Sequence, residues 1–328
     1  MEAMPDVARS WELSADGRRY VFHLRDDVLW SDGEPVTAGD FEYAWKRVLD
    51  PASESPNPSL LYDIKGARAF HKGETPDPGS VEVQAPDDLT LVVELEQPTG
   101  YFLSLLAHYA TYPVPRHVLE SHGKDWTERG NIVTNGAFTL ETWTRDKTMT
   151  LARNPEYHGR FKGNLQRVDL SFDVEWSVQM EMYEAGDLDF VSFGGTPLER
   201  DRARRRHAGE YASAPMLGAT YVAFDVSRPP FDDVRVRRAF ALATDKVTLA
   251  DVVLRGYEFP AAGGFVPPGM PGHSAGINPP YDPEQAQKLL AEAGYPGGQG
   301  FPFIDAWTWQ GIKARADCLH SQWRDNLG

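Results

Sequence analysis

The sequence predicts a mixed α/β fold shared among more than one lobe. Three observations carry this. The chain has 328 residues, more than one hydrophobic core usually serves. Strand-like alternation and helix-like spacing of apolar residues interleave along its length. Residues 167–193 read strand, helix, strand, the order of a crossover connection in a mixed sheet.

Residues 18–25 alternate, with Tyr20, Phe22 and Leu24 on one face and Val21, His23 and Arg25 on the other, which predicts a half-buried strand. Ser31-Asp32-Gly33-Glu34-Pro35 is a turn. Thr37 is placed to cap a helix, with Asp40 three residues on. Phe41, Ala44, Trp45 and Val48 follow at helical spacing before Pro51. Residues 51–59 are a Pro- and Ser-rich loop. Residues 81–83 and 89–95 read as strands about a turn at Pro86-Asp87-Asp88, and residues 101–109 and 116–121 as helices.

Residues 136–144 and 148–153 form a predicted hairpin around Arg145-Asp146-Lys147. Strands are expected at 167–174, 188–193 and 219–226. Helices are expected at 178–185, 234–243, 247–254, 283–293 (closed by Gly294) and 312–327. Residues 260–280 form a long Pro- and Gly-rich loop, a length usually tied to function or flexibility.

Composition narrows the function. The net charge of −15 argues against a nucleic-acid partner, because phosphate binding needs a cationic face. One dense basic run stands out: Arg200, Arg202, Arg204, Arg205 and Arg206, on a predicted helix beginning near Thr196. Its readings are a solvated helix face or a docking patch for a partner. The single cysteine, Cys318, permits no intrachain disulfide. No apolar run is long enough to predict a transmembrane helix. Aromatic residues make up 12% of the chain, which serves either large cores or a cleft with aromatic walls.

No reaction centre is predicted. A phosphate-binding Gly-rich loop and a His-Glu-x-x-His zinc motif are absent, and a serine-hydrolase elbow is not expected. His117 and His122 are five apart and face different ways on a helix, as solvated histidines do. Asp187 and Asp189 are read as turn acids in preference to a catalytic pair. No cofactor and no metal site is expected. Binding is favoured over catalysis.

Four groups of segments then carry a resemblance. The first is ARSWE (8–12), YVFHLR (20–25) and WSDGEPVTAGDF (30–41). The second is GNIVTNGAF (130–138) with RNPEY (153–157). The third is RPPFDDVRVRRA (228–239), and the fourth is AQKLLAEAGY (286–295). Together they resemble the family-5 extracellular solute-binding proteins, the receptors of peptide-importing ABC transporters. Pro113-Val114-Pro115 and residues 130–136 look most like the oligopeptide receptors. The motifs also have local roles: Gly33 and Pro35 place a turn, and Asp232 and Asp233 sit where a helix N-terminus favours negative charge. They are read as fold-defining, not as ligand contacts.

The resemblance implies a periplasmic-binding-protein-like fold whose hinged lobes close on an extended peptide. Residues 1–135 would be an extra lobe bearing the signature, 136–222 part of the first ligand lobe, and 223–328 the first half of a second, incomplete ligand lobe. Main-chain hydrogen bonds and roomy hydrated pockets would hold the peptide. The predicted cleft residues are Ser192, Phe193 and Gly194, then Thr220 and Tyr221, with Trp307 and Trp309 as further candidates. The implied partners are a peptide and the membrane permease subunits, with the receptor a monomer. Other solutes taken across the family, namely dipeptides, nickel complexes, haem and oligosaccharides, are the alternative, as is a regulatory or inactive fragment. Set against full-length members, which are periplasmic or cell-surface lipoproteins, the start MEAMPD lacks a signal peptide, so the chain as written is expected to stay cytoplasmic. It is expected to be a central piece that binds peptides poorly by itself.

Overall fold

The computed structural model describes residues 3–159, 163–192, 195–214, 216–307 and 312–328. The chain separates into two compact units, Met1–Val174 and Glu175–Gly328.

The first unit is built on strands β1 (Ala8–Leu13), β2 (Arg19–Leu24), β3 (Val83–Asp87) and β4 (Thr90–Glu94). They form an antiparallel sheet in the order β1-β2-β4-β3. The alternation in β2 sets its register: Tyr20 faces Val93 and Phe22 faces Leu91, and all four are buried. Strand β1 carries no period-two pattern, because it is an edge strand with an irregularity between Ala8 and Ser10 and no fully buried residue. The β3–β4 turn falls at Asp88-Leu89, slightly later than predicted, where the Asp87 carboxylate accepts a hydrogen bond from Leu89 N–H at 2.9 Å.

Helix α1 (Ala38–Leu49) lays Ala44, Trp45 and Leu49 onto this sheet. The predicted cap is present: Asp40 Oδ2 accepts from Thr37 N–H at 2.9 Å. Asp40 is buried, and it also accepts from the Trp30 indole (3.4 Å) and from Arg116 N–H (3.3 Å). The buried carboxylate therefore ties the turn, the helix start and a distant segment together. Helices α2 (Ala67–His71), α3 (Phe102–Leu105) and α4 (Arg116–His122) complete the layer. The helix predicted at 101–109 shrinks to α3, because the His108 ring accepts from Ala110 N–H and starts a separate 3-10 turn, Tyr109–Thr111.

A second sheet of the same unit contains β5 (Phe138–Thr144), β6 (Thr148–Arg153) and β7 (Arg167–Ser171), in that order and antiparallel. The β5–β6 turn is at the predicted Arg145-Asp146-Lys147, with Asp146 at φ +60°.

The second unit is helical where it is regular: α5 (Trp176–Ala185), α6 (Pro197–Arg206), α7 (Val234–Leu242), α8 (Pro283–Glu292) and α9 (Lys313–Leu327). Thr248–Val253 is a π-helical turn where a regular helix was expected. Phe231, Val236, Ala239 and Phe240 pack against Ala286, Leu290 and Leu327, with Phe224, Phe301 and Trp323 around them. The rings of Phe224 and Phe231 stack at 4.5 Å, and Phe240 meets Trp323 edge-on at 5.0 Å.

Two expected strands are not formed. Residues 188–192 and 219–226 take part in no β-ladder among the described residues, so the crossover expected after α5 is missing too. Aromatic and β-branched residues suit a strand in both segments, but a strand exists only against a partner that accepts its backbone hydrogen bonds. Several of their apolar side chains lie open instead: Phe190 is 78% exposed and Tyr221 66%, while Phe224 packs inward. No helix is long and apolar enough to cross a membrane among the described residues.

Candidate ligand-binding site

The described candidates, Ser192, Thr220, Tyr221 and Trp307, sit in segments without regular secondary structure. Helix α5 stops at Gly186, at φ +82°, a conformation that glycine adopts without steric cost. Asp187 N–H closes the turn by donating to Met182 C=O at 2.8 Å. Helix α6 restarts at Thr196, whose N–H donates to Glu199 Oε2 at 2.7 Å, with Pro197 at the first helical position. Ser192 lies exposed on the stretch between them. Phe193 and Gly194 lie outside the described residues.

Thr220 and Tyr221 lie on the irregular run after α6, both exposed. Phe224 then turns into the core, and the Asp225 carboxylate gathers Ser227 N–H (3.0 Å) and Arg228 (2.7 Å) into the bend that leads to α7. The Tyr221 ring meets Phe265 edge-to-face at 5.1 Å and 61°. Phe265 comes from the 260–280 loop, which is knitted internally. Gly264 N–H donates to Ser274 C=O at 2.9 Å, the His273 ring bonds to Val266 C=O, and Asn278 Nδ2 donates to Ala261 C=O.

Phe265 escapes sequence reasoning because nothing in a Pro/Gly-rich run marks one aromatic residue as facing another segment. Trp307 is 97% exposed, and Trp309 lies outside the described residues. The structure thus pairs Tyr221 with Phe265. Among the described residues no hydrogen bond or ring contact joins Ser192, Thr220 or Trp307 to one another.

Charged groups flank α6. Arg255 pairs with Asp201, and Tyr257 donates to the same carboxylate at 3.1 Å. Chiefly through Arg255, these hold Asp201 below the usual carboxylate range. Burial pulls the Arg315 guanidinium below its ordinary value, Arg200 adds to this, and Glu258 pairs with it.

One Gly-x-Ser-x-Gly string does occur, GHSAG at 272–276, which corrects the expectation that this signature is missing. Its surroundings are wrong for a nucleophile elbow: it lies in the long loop instead of a strand-to-helix turn, and its His273 bonds to a backbone carbonyl. Asp187 and Asp189 are both exposed to water. Among the described residues no group of three or more His, Cys, Asp or Glu could hold a metal ion.

Comparison with known proteins decides the family. The family model described as "Bacterial extracellular solute-binding proteins, family 5 Middle" matches residues 2–328. The chain belongs to this family.

Among its curated relatives, the family-5 chain is 35% identical over 337 residues to the probable deoxycholate-binding periplasmic protein YgiS of Escherichia coli, with 100% of this chain and 62% of the relative covered. It is also 35% identical over 334 residues to the E. coli periplasmic oligopeptide-binding protein OppA, covering 99% of this chain and 61% of OppA. Haemophilus influenzae OppA, solved in complex with RPPGFSPFR, matches with a TM-score of 0.85 at 32% identity, covering 99% of this chain and 65% of that one. The chain thus spans less than two thirds of the length of these relatives.

Within this family-5 chain the signature segments hold the fold together. Ser31 N–H donates to Thr134 C=O at 2.9 Å, and Thr134 N–H returns to Ser31 Oγ at 3.1 Å, which joins the first motif group to the second. Asn154 is buried and clasps the backbone at Gly136 and Ala137. Asp233 caps α7, and Arg235 reaches Glu292 C=O at the end of α8 at 2.7 Å.

Proposed function

We propose that this chain is the ligand-capturing part of a peptide receptor that serves an ABC importer outside the cytoplasmic membrane. The observation that carries the reading is the match, over nearly the whole chain, to a family-5 receptor solved with a peptide bound. The ligand would be an extended oligopeptide, delivered to permease subunits after the lobes close. Residues 1–135 would form the additional lobe, 136–222 part of the first ligand lobe and 223–328 part of the second. Ser192, Phe193, Gly194, Thr220 and Tyr221 would line the cleft, with Trp307 and Trp309 nearby. Exposed aromatic rings and backbone outside any β-ladder among the described residues suit such a ligand, which can be held by main-chain hydrogen bonds. The role is binding without turnover.

A second reading has a specific observation behind it. The relative described as a probable deoxycholate-binding protein is as similar to this chain as OppA is. An amphipathic steroid acid would use the same exposed rings without needing strand-edge hydrogen bonds.

Calorimetric titration of the purified chain with RPPGFSPFR and, separately, with deoxycholate distinguishes the two. Heat with the peptide alone supports the first reading. Heat with deoxycholate alone replaces it with the second. Turnover of the peptide would overturn the claim of binding without catalysis.

A further inference from the structure

The arginine run on α6 remains unexplained by ligand capture. Helix α6 buries no residue of its own. Its arginines divide by direction, since successive residues turn by about 100° around a helix axis. On one side, Arg200 stacks over the Tyr257 ring at 5.4 Å and Asp201 binds Arg255. On another, Arg206 pairs with Glu184 at 2.8 Å, and His207 reaches the same carboxylate at 3.2 Å. Those contacts anchor the helix to the 255–257 turn and to α5. The remaining stripe is Leu198, Arg202 and Arg205, at spacings of four and three, with Arg206 at its margin. Leu198 is 45% exposed, and Arg202 and Arg205 are exposed.

Nearby acids are already engaged. Glu199 closes the capping box with Thr196, Asp201 holds Arg255, and Glu184 holds Arg206. Arg202 and Arg205 form no ion pair among the described residues. They repel each other at i, i+3, and Arg202 repels Arg206 at i, i+4, which disfavours the helix. A solvated face usually mixes signs; here Glu199 and Asp201 border the stripe and feel Arg202 and Arg205, yet arginines outnumber acids on it in a chain of net charge −15. All five basic residues of the run are arginine and none is lysine. Guanidinium forks pair with planar oxyanions in a bidentate way that ammonium groups do not match.

We propose that the stripe Leu198, Arg202, Arg205, with Arg206 beside it, docks a short acidic segment of a partner protein, a helix or loop presenting carboxylates at matching intervals. The width of the stripe favours such a partner over a membrane of anionic lipids. From residue 198 to 205 it runs about 10 Å along the helix, close to the Debye length of about 8 Å at physiological salt. A narrow acidic segment meets only this local charge. A flat anionic surface meets the surrounding protein as well, and the net charge of −15 opposes it.

The test uses the full chain and a fluorescent helical peptide bearing glutamates at i, i+3, i+4 and i+7. Controls are its glutamine counterpart and vesicles containing phosphatidylglycerol, all at low salt. Anisotropy is expected to show binding of the glutamate peptide and none of the glutamine peptide. Binding is expected to fall about tenfold or more in the Arg202→Glu/Arg205→Glu variant, roughly the loss of two charge pairs. Arg202→Lys/Arg205→Lys keeps the charge and is expected to lose part of the affinity, reporting the fork geometry. Arg129→Glu, exposed in the first unit, is expected to change nothing. Equal binding by the Glu double variant overturns the proposal, as does no binding of the glutamate peptide. Binding to vesicles without binding to the peptide overturns it in favour of a lipid surface. Circular dichroism of each variant confirms that the helix is kept.

Discussion

Tyr221 and Phe265 meet edge-to-face at 5.1 Å although both rings are largely open to water, at 66% and 70% exposure. Such a pair contributes little to folding, since neither ring is removed from solvent. It does present two apolar faces at a fixed angle to anything entering beside it. If this pair contacts the peptide, Tyr221→Ala weakens binding of RPPGFSPFR about tenfold, in keeping with loss of one aromatic contact. Phe265→Ala weakens it by less, because Tyr221 remains. The melting temperature of both variants stays at the wild-type value. Calorimetry and thermal melts together check this; a change in stability without a change in affinity would assign the pair to packing.

Asn154 offers a sharper test of the fold. It is 3% exposed, its Nδ2 donates to Gly136 C=O at 2.9 Å, and its Oδ1 accepts from Glu156 N–H at 3.1 Å. Removing the amide takes a partner from the half-buried Gly136 C=O, whereas the exposed Glu156 N–H can turn to water, so the cost should lie toward the low end of about 1–3 kcal/mol. Asn154→Ala is therefore expected to lower the urea midpoint of the first unit clearly. Asn154→Asp keeps the acceptor and loses the donor, so it should fall between the two. Urea titration followed by tryptophan fluorescence measures both.

These two positions show what was readable in the sequence. The second motif group was recognisable as two separate strings, and Asn154 is the reason they belong together: it bonds across from one string to the other. Local signals of that kind survive in the chain because short-range chemistry sets them, as with the Thr37–Asp40 cap and the turn at residues 145–147. The strands expected at 188–193 and 219–226 rest on local composition alone. Such composition reports a preference for a pleated, half-buried surface and says nothing of whether a partner lies alongside. The Tyr221–Phe265 contact was illegible for a related reason, since it depends on how a loop more than forty residues away is folded. Family strings located the family, but they mark structural joints such as the Ser31–Thr134 pair and not cleft residues.

Asp40 should be the most costly single polar position of the first unit. It is buried at 6% exposure and accepts from Thr37 N–H and Thr37 Oγ1, the Trp30 indole and Arg116 N–H. Asp40→Ala removes the acceptor common to all of them. Loss of the helix cap costs about 1 kcal/mol, and stranded buried donors add about 1–3 kcal/mol. Asp40→Asn keeps the size and one acceptor oxygen and should cost less. Chemical denaturation of the two variants ranks them; equal midpoints would mean that these donors find water when the carboxylate is gone.

Acid should loosen the second unit through its carboxylates. Asp245 accepts from Thr248 N–H (3.0 Å), Thr248 Oγ1 (2.7 Å) and Val247 N–H (3.1 Å), and these bonds, led by that from Thr248 N–H, lower its pKa. Asp201 and Asp233 are lowered in the same direction, by Arg255 and Arg235. A carboxyl with a depressed folded pKa stabilises the fold at pH values above its unfolded pKa of about 3.9. That contribution is lost as pH falls from there through the lower folded value. Melting temperature is thus expected to be flat from neutral pH to about 5 and then to drop. Asp245→Asn cannot gain the proton, so its curve should start lower at neutral pH and fall less steeply below pH about 4. Thermal melts across this range, followed for both proteins, give the slopes, and parallel curves would remove Asp245 from the account.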